Sequence, residues 1–197
     1  MGLEQINNHV SILNVVLDGS GSMSVFGKGP LQINLARFVL QYIEQNAAQI
    51  SESIEVNFFL FRDEVKPLEN GIDSGQCSIS FEGGAESNSL SNFLKCLPSQ
   101  SKVLLFSDGF CLDDQVSEVV YQNAIDFNLV AVGPDSPSLE RYTSDYFHVA
   151  KSESLPALLQ NLLYKSEGNS LPRKISTNWE MEEALSLQTQ NDDDDWE

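Results

Sequence analysis

The sequence predicts an α/β protein: a doubly wound, mostly parallel sheet with helices on both faces and an antiparallel edge strand. Three observations carry that expectation. Short apolar runs rich in Val, Leu and Phe recur at residues 12–17, 54–61, 102–106 and 127–132, the form taken by parallel strands buried on both sides. Segments with apolar residues at helical spacing lie between them, so strands alternate with helices. One further short strand, Val65-Lys66-Pro67-Leu68, contains a proline that cannot donate to a ladder, which assigns it to an edge.

Taken in order, the first strand runs through Ile12 to Leu17 and breaks into Asp18-Gly19-Ser20-Gly21-Ser22. Residues 30–50 read as an amphipathic helix, with Pro30 in its first turn and Leu35, Phe38, Val39, Tyr42 and Ile43 facing the sheet. Ile54–Phe61 and Val65–Leu68 form a hairpin across the turn Arg62-Asp63-Glu64, and Cys77–Phe81 is a further strand-like piece. Ser87 is placed to cap a helix through Leu90, Phe93, Leu94 and Leu97. Lys102 to Phe106 is again an apolar strand, ending in Ser107-Asp108-Gly109. Then come a helix at 112–125, a strand at Phe127–Val132, a short helix near Ser138–Tyr142 and a last strand at Tyr146–Ala150. A helix capped by Ser152 and carrying Leu155, Leu158, Leu159, Leu162 and Leu163 closes the series.

The chain has 197 residues and a formal net charge of -18. That length suits one domain, residues 1–167, followed by an acidic tail, residues 168–197. A charge of this sign repels nucleic acid and anionic membrane surfaces, and no apolar run is long enough to span a bilayer. Met1 to Val10 lacks the pattern of a secretory signal, and Cys77, Cys96 and Cys111 are an odd number at unrelated spacings, so reduced thiols and a cytoplasmic location are expected. His9 and His148 stand apart without an acid or cysteine pattern and are given no role.

Asp18, Ser20 and Ser22 place three oxygen-bearing side chains at alternate positions, with glycines between them that let the backbone curl around one point. Hard oxygens converging in this way suit Mg²⁺ or a similar cation. In an open doubly wound sheet, ligands bind beyond the carboxyl ends of the strands where the strand order reverses. If the first strand lies centrally with the 102–108 strand beside it, Asp18 and Asp108 meet there. No Gly-x-Ser-x-Gly elbow, Walker A motif or Gly-x-Gly-x-x-Gly fingerprint is present, which removes the usual serine-nucleophile and nucleotide readings.

Asp18-Gly19-Ser20-Gly21-Ser22 together with Phe106-Ser107-Asp108-Gly109 resembles the von Willebrand factor A (vWA) domain and its metal-ion-dependent adhesion site (MIDAS), over residues 9 to about 166. The resemblance implies that Ser20 and Ser22 bind Mg²⁺, or Mn²⁺ or Ca²⁺, through their hydroxyls, while Asp18 and Asp108 act directly or through water. The family's fifth ligand is a Thr after a Gly pair. Ala85 stands at that position, in Gly83-Gly84-Ala85-Glu86-Ser87, so that Ser87 or Glu86 reaches in, a water fills the gap, or affinity falls.

The expected function is a metal-dependent protein-interaction module without chemistry of its own, in which a partner's Asp or Glu completes the metal's shell. Small free-standing bacterial vWA proteins, which the chain resembles, suggest an AAA+ ATPase or kinase and phosphatase companions as partners. The alternative is a Mg²⁺-dependent phosphohydrolase, for which the loops offer Lys28 and Arg62 as phosphate-holding cations. In the tail, Thr177-x-x-Glu180 reads as a capping box, and Trp179, Met181 and Trp196 are candidate anchors for a partner groove.

Overall fold

The computed structural model describes residues 10–50, 53–68, 72, 79–134 and 139–164. The tail, with Trp179, Met181 and Trp196, lies outside them, as do His9 and Cys77. Strand β1 (Val10–Asp18) is followed by helix α1 (Lys28–Asn46), β2 (Ser53–Phe61), β3 (Val65–Pro67), α2 (Ser87–Cys96), β4 (Lys102–Ser107), α3 (Asp114–Gln122), β5 (Asp126–Ala131), β6 (Phe147–Lys151) and α4 (Leu155–Leu163). The sheet has six strands in the order β3-β2-β1-β4-β5-β6. All neighbours are parallel except β2 and β3. The mixed sheet with its antiparallel edge is the expected architecture.

The order reverses between β1 and β4. Their register pairs Leu17 with Phe106, so Asp18 and Ser107 end adjacent strands side by side. Both strands are buried over most of their length because helices cover each face. Val16, Val103 and Leu105 pack with Leu90 and Leu94 of α2 and with Val116, Val119 and Val120 of α3. Strand alternation turns Val15, Leu17, Leu104 and Phe106 toward the opposite face. Burying each of these side chains contributes about 1.5–3 kcal/mol. All five leucines assigned to the last helix are buried.

Several local expectations shift. Helix α1 starts at Lys28, before Pro30, and its fully buried positions are Lys28, Gly29, Gln32, Ala36 and Val39. Of the apolar residues assigned inward, only Val39 is fully buried, while Leu35, Phe38, Tyr42 and Ile43 are half-buried. Ser87 is the first residue of α2 and not its cap, because its hydroxyl donates to Asp113 Oδ2 at 2.5 Å. Ser152 opens a 3-10 turn, Ser152–Ser154, that precedes α4, and Asp113 is the residue that caps α3, accepting from Val116 N. The short helix near Tyr142 is a 3-10 turn, Glu140–Tyr142. Residues 79–81 form no strand. Arg62 donates to Ser80, and the Phe81 ring lies where a Cβ on Gly29 would stand, so this stretch is held by side-chain contacts.

Candidate metal centre

The loop after β1 folds around its own first residue. Asp18 Oδ1 accepts from Ser20 N–H at 2.9 Å, and Ser20 O then accepts from Met23 N–H at 3.1 Å, which opens the 3-10 turn Gly21–Ser24. The hydroxyls of Ser20 and Ser22 come within 3.0 Å of each other. Gly19 is needed for close approach, since a Cβ there would stand 2.9 Å from both Arg62 Nε and Leu60 Cδ1. Two backbone bonds, Gly21 N–H to Gly83 O at 3.0 Å and Glu82 N–H to Gly19 O at 3.1 Å, draw the Gly83-Gly84-Ala85 loop onto this one.

A cavity of about 230 Å³ opens between the loops, lined by Ser20, Ser22, Gly83, Gly84, Ala85, Asp108, Phe110 and Cys111. The structure therefore brings Ser20, Ser22 and Asp108 to one opening, with Asp18 bonded to the Ser20 amide and the Ser107 hydroxyl. It does not bring Ser87 or Glu86 there: Ser87 is held by Asp113, and Glu86 is exposed at the start of α2. Ala85 lines the cavity and has no side-chain oxygen to offer.

The two aspartates are balanced differently. Asp18 Oδ2 accepts the Ser107 hydroxyl at 2.6 Å, and its backbone carbonyl accepts from Gln32 Nε2 at 2.6 Å. Burial raises the pKa of Asp18, against the lowering effect of its bonds to Ser107 and Ser20, and the nearby Asp108 charge adds to the rise. Asp108 is fully buried, and its Oδ2 lies 3.1 Å from the ammonium of Lys28. Lys28 is itself only 3% exposed. Sequence reasoning placed Lys28 in a loop as a cation for phosphate. The structure puts it in the first turn of α1, on Asp108. The signal that could have found it is the inward stripe 28, 32, 36, 39, which apolar periodicity alone passes over because two of its members are polar.

Cys111, in the cavity wall, lies 3.4 Å from Ser107 Oγ, and burial pushes its thiol up to about 12. Cys96 is a free, exposed thiol. His148 is buried in β6 near Asp126. Among the described residues, no cluster of three or more His, Cys, Asp or Glu side chains forms a metal site, and no helix is long and apolar enough to cross a membrane. A hydroxyl-rich centre falls outside such a cluster by its nature. Two serine hydroxyls and two carboxylates are hard oxygen donors of the kind Mg²⁺, Mn²⁺ or Ca²⁺ takes, so the donor set fits a divalent cation.

No protein-family model and no curated protein matches the sequence. Solved structures match its fold. The mussel byssus proximal thread matrix protein 1 (PTMP1), described with a zinc-occupied MIDAS motif, is 15% identical, with 79% of this chain and 45% of that chain covered, at TM-score 0.52. The ArnB paralog VWA2 from Sulfolobus acidocaldarius is 21% identical over 76% of this chain and 44% of that one, at TM-score 0.52. BatB from Bacteroides thetaiotaomicron is 12% identical over 77% and 97%, at TM-score 0.55. The chain spans less than half the length of the first two. At such identities the likeness concerns the fold, and that fold is vWA-like.

Proposed function

We propose that this chain is a metal-dependent protein-interaction module. Ser20 and Ser22 hold Mg²⁺, with Mn²⁺ and Ca²⁺ as alternatives, while Asp18 and Asp108 supply the negative charge. The observation that carries this reading is the meeting of two adjacent strand ends at one opening, with the Ser20 and Ser22 hydroxyls 3.0 Å apart and Asp108 in the wall. Bound there, a divalent cation supplies a positive point that draws a carboxylate. On a chain of net charge -18, an acidic partner is repelled everywhere except along the approach to that point, which supplies selectivity.

The partner is a protein presenting Asp or Glu, with an AAA+ ATPase or kinase and phosphatase companions as the classes to test in the cytoplasm. Trp179, Met181 and Trp196 of the acidic tail form a second contact element. An interaction role without catalysis is favoured over phosphate ester hydrolysis by where the two loop cations sit. Lys28 is buried on Asp108, and Arg62 bonds Ser80 and lies 3.8 Å from Glu82, so both are already engaged by the protein.

Calorimetric titration of the full chain with MnCl₂ tests the centre, with Asp18→Ala and Ser22→Ala as variants. Saturable binding lost in both, with the circular dichroism spectrum unchanged, is expected. Binding that survives in both would overturn the assignment. Capture of native partners with Mg²⁺ and with chelator then tests the role.

A further inference from the structure

Lys28 sits where a lysine is costly. It is the first residue of α1, at the end of the helix where exposed amide N–H groups disfavour a cation, and no acidic residue lies in that first turn. It is also buried, and burying an ammonium is tolerated when a carboxylate compensates it. The fold makes room for the side chain. Gly133, at φ +98, follows β5, and a Cβ there would stand 2.7 Å from Lys28 Cε and 3.0 Å from Cγ. A slot in the neighbouring loop, a buried stem and a 3.1 Å ion pair together deliver one positive charge to Asp108.

From this arrangement we infer that Lys28 is a resident counter-ion of the proposed metal centre. It neutralises Asp108 when no metal is bound and thereby sets how weakly the centre holds a divalent cation. The inference rests on the functional reading above. By formal charge, Asp18 and Asp108 bring two negative charges to the centre, and the Lys28 ammonium paired with Asp108 offsets one of them. Asp108 is therefore shared between the ammonium and any cation in the cavity. The same charge that lowers metal affinity leaves a loaded centre one unit more positive toward an incoming carboxylate, so Lys28 couples loading of the site to the arrival of an acidic ligand.

The experiment is a calorimetric titration of the chelator-treated full chain with MnCl₂ alone, comparing wild type with Lys28→Met, Lys28→Gln and Lys28→Arg. Removing a unit charge a few ångströms from the site should tighten Mn²⁺ binding about tenfold or more in the Met and Gln variants, while the charge-retaining Arg variant stays near wild type. Folding of each is checked by circular dichroism. If Lys28→Met does not fold with its partner carboxylate left bare, Lys28→Gln, whose amide can still donate to Asp108, carries the comparison. Mn²⁺ binding equal in wild type and the folded neutral variants would overturn the counter-ion role and leave the metal centre standing. No binding in any of them at millimolar Mn²⁺ would overturn both.

Discussion

The ends of β1 and β4 are written in nearly the same residues, an apolar strand running into Asp and Gly, yet the structure treats the two carboxylates in opposite ways. Asp18 is held by neutral donors, the Ser107 hydroxyl and the Ser20 amide, so its charge is oriented but not cancelled. Asp108 meets an ammonium 3.1 Å away and is cancelled. A shared motif thus specifies position, and its neighbours in space decide the charge it presents. One loop keeps its negative charge at a cost in solvation, and the other keeps an ion pair at a cost in burying two charges.

The sharpest break of this contrast is Asp108→Asn. With chelator present, the substitution removes the carboxylate that lies 3.1 Å from buried Lys28 and should destabilise the chain by about 3–5 kcal/mol, the usual penalty for removing one partner of a buried pair. Urea unfolding in chelator measures it, and a loss below about 1 kcal/mol would mean that the pair contributes little.

Asp18→Asn is expected to act in the other direction and more weakly. The folded pKa of Asp18 is raised above its ordinary value of 3.8, chiefly by burial. Its contribution to stability is therefore fully present below pH 3.8 and is lost as the pH rises through the folded value. In chelator at neutral pH the Asn variant should be the more stable of the two, and its advantage should shrink on acidification toward pH 4. A variant less stable than wild type at pH 7 would show that the Ser107 and Ser20 bonds outweigh desolvation.

The smallest effect separates two thiols by their burial. In a Cys77→Ser background at pH 8, iodoacetamide should label exposed Cys96 readily and leave Cys111, with its thiol pushed up to about 12, unmodified until urea unfolds the chain. Mass mapping of the labelled peptides reads the result.

Most of the fold was legible because parallel strands buried on both faces leave a continuous apolar signature. The single proline at residue 67 marked the edge strand, which the structure places outermost. The geometry of Asp18, Ser20, Ser22 and Asp108 followed from strand order, since two strand ends at a reversal must be neighbours. Less legible were features decided by residues distant in sequence. Ser87 has every local qualification for a cap, but Asp113, 26 residues further on, takes its hydroxyl. Lys28 reads locally as a solvated loop cation, and only the joint placement of α1, Asp108 and the Gly133 turn turns it inward. The strand expected at Cys77–Phe81 is not continued by residues 79–81, because contacts with Arg62 and Gly29 hold that piece instead of a ladder.

The edge at β3 has a consequence for how copies of the chain can meet. Leu68 donates its amide inward to Phe58 O, so the alternation of the strand turns the proline ring at 67 toward the outer margin, where a further strand would look for a hydrogen. Lys66 and Glu64, exposed and 2.9 Å apart, add charge to the same margin. Sheet-to-sheet growth, the common route from a folded monomer to a fibre, is blunted on that side.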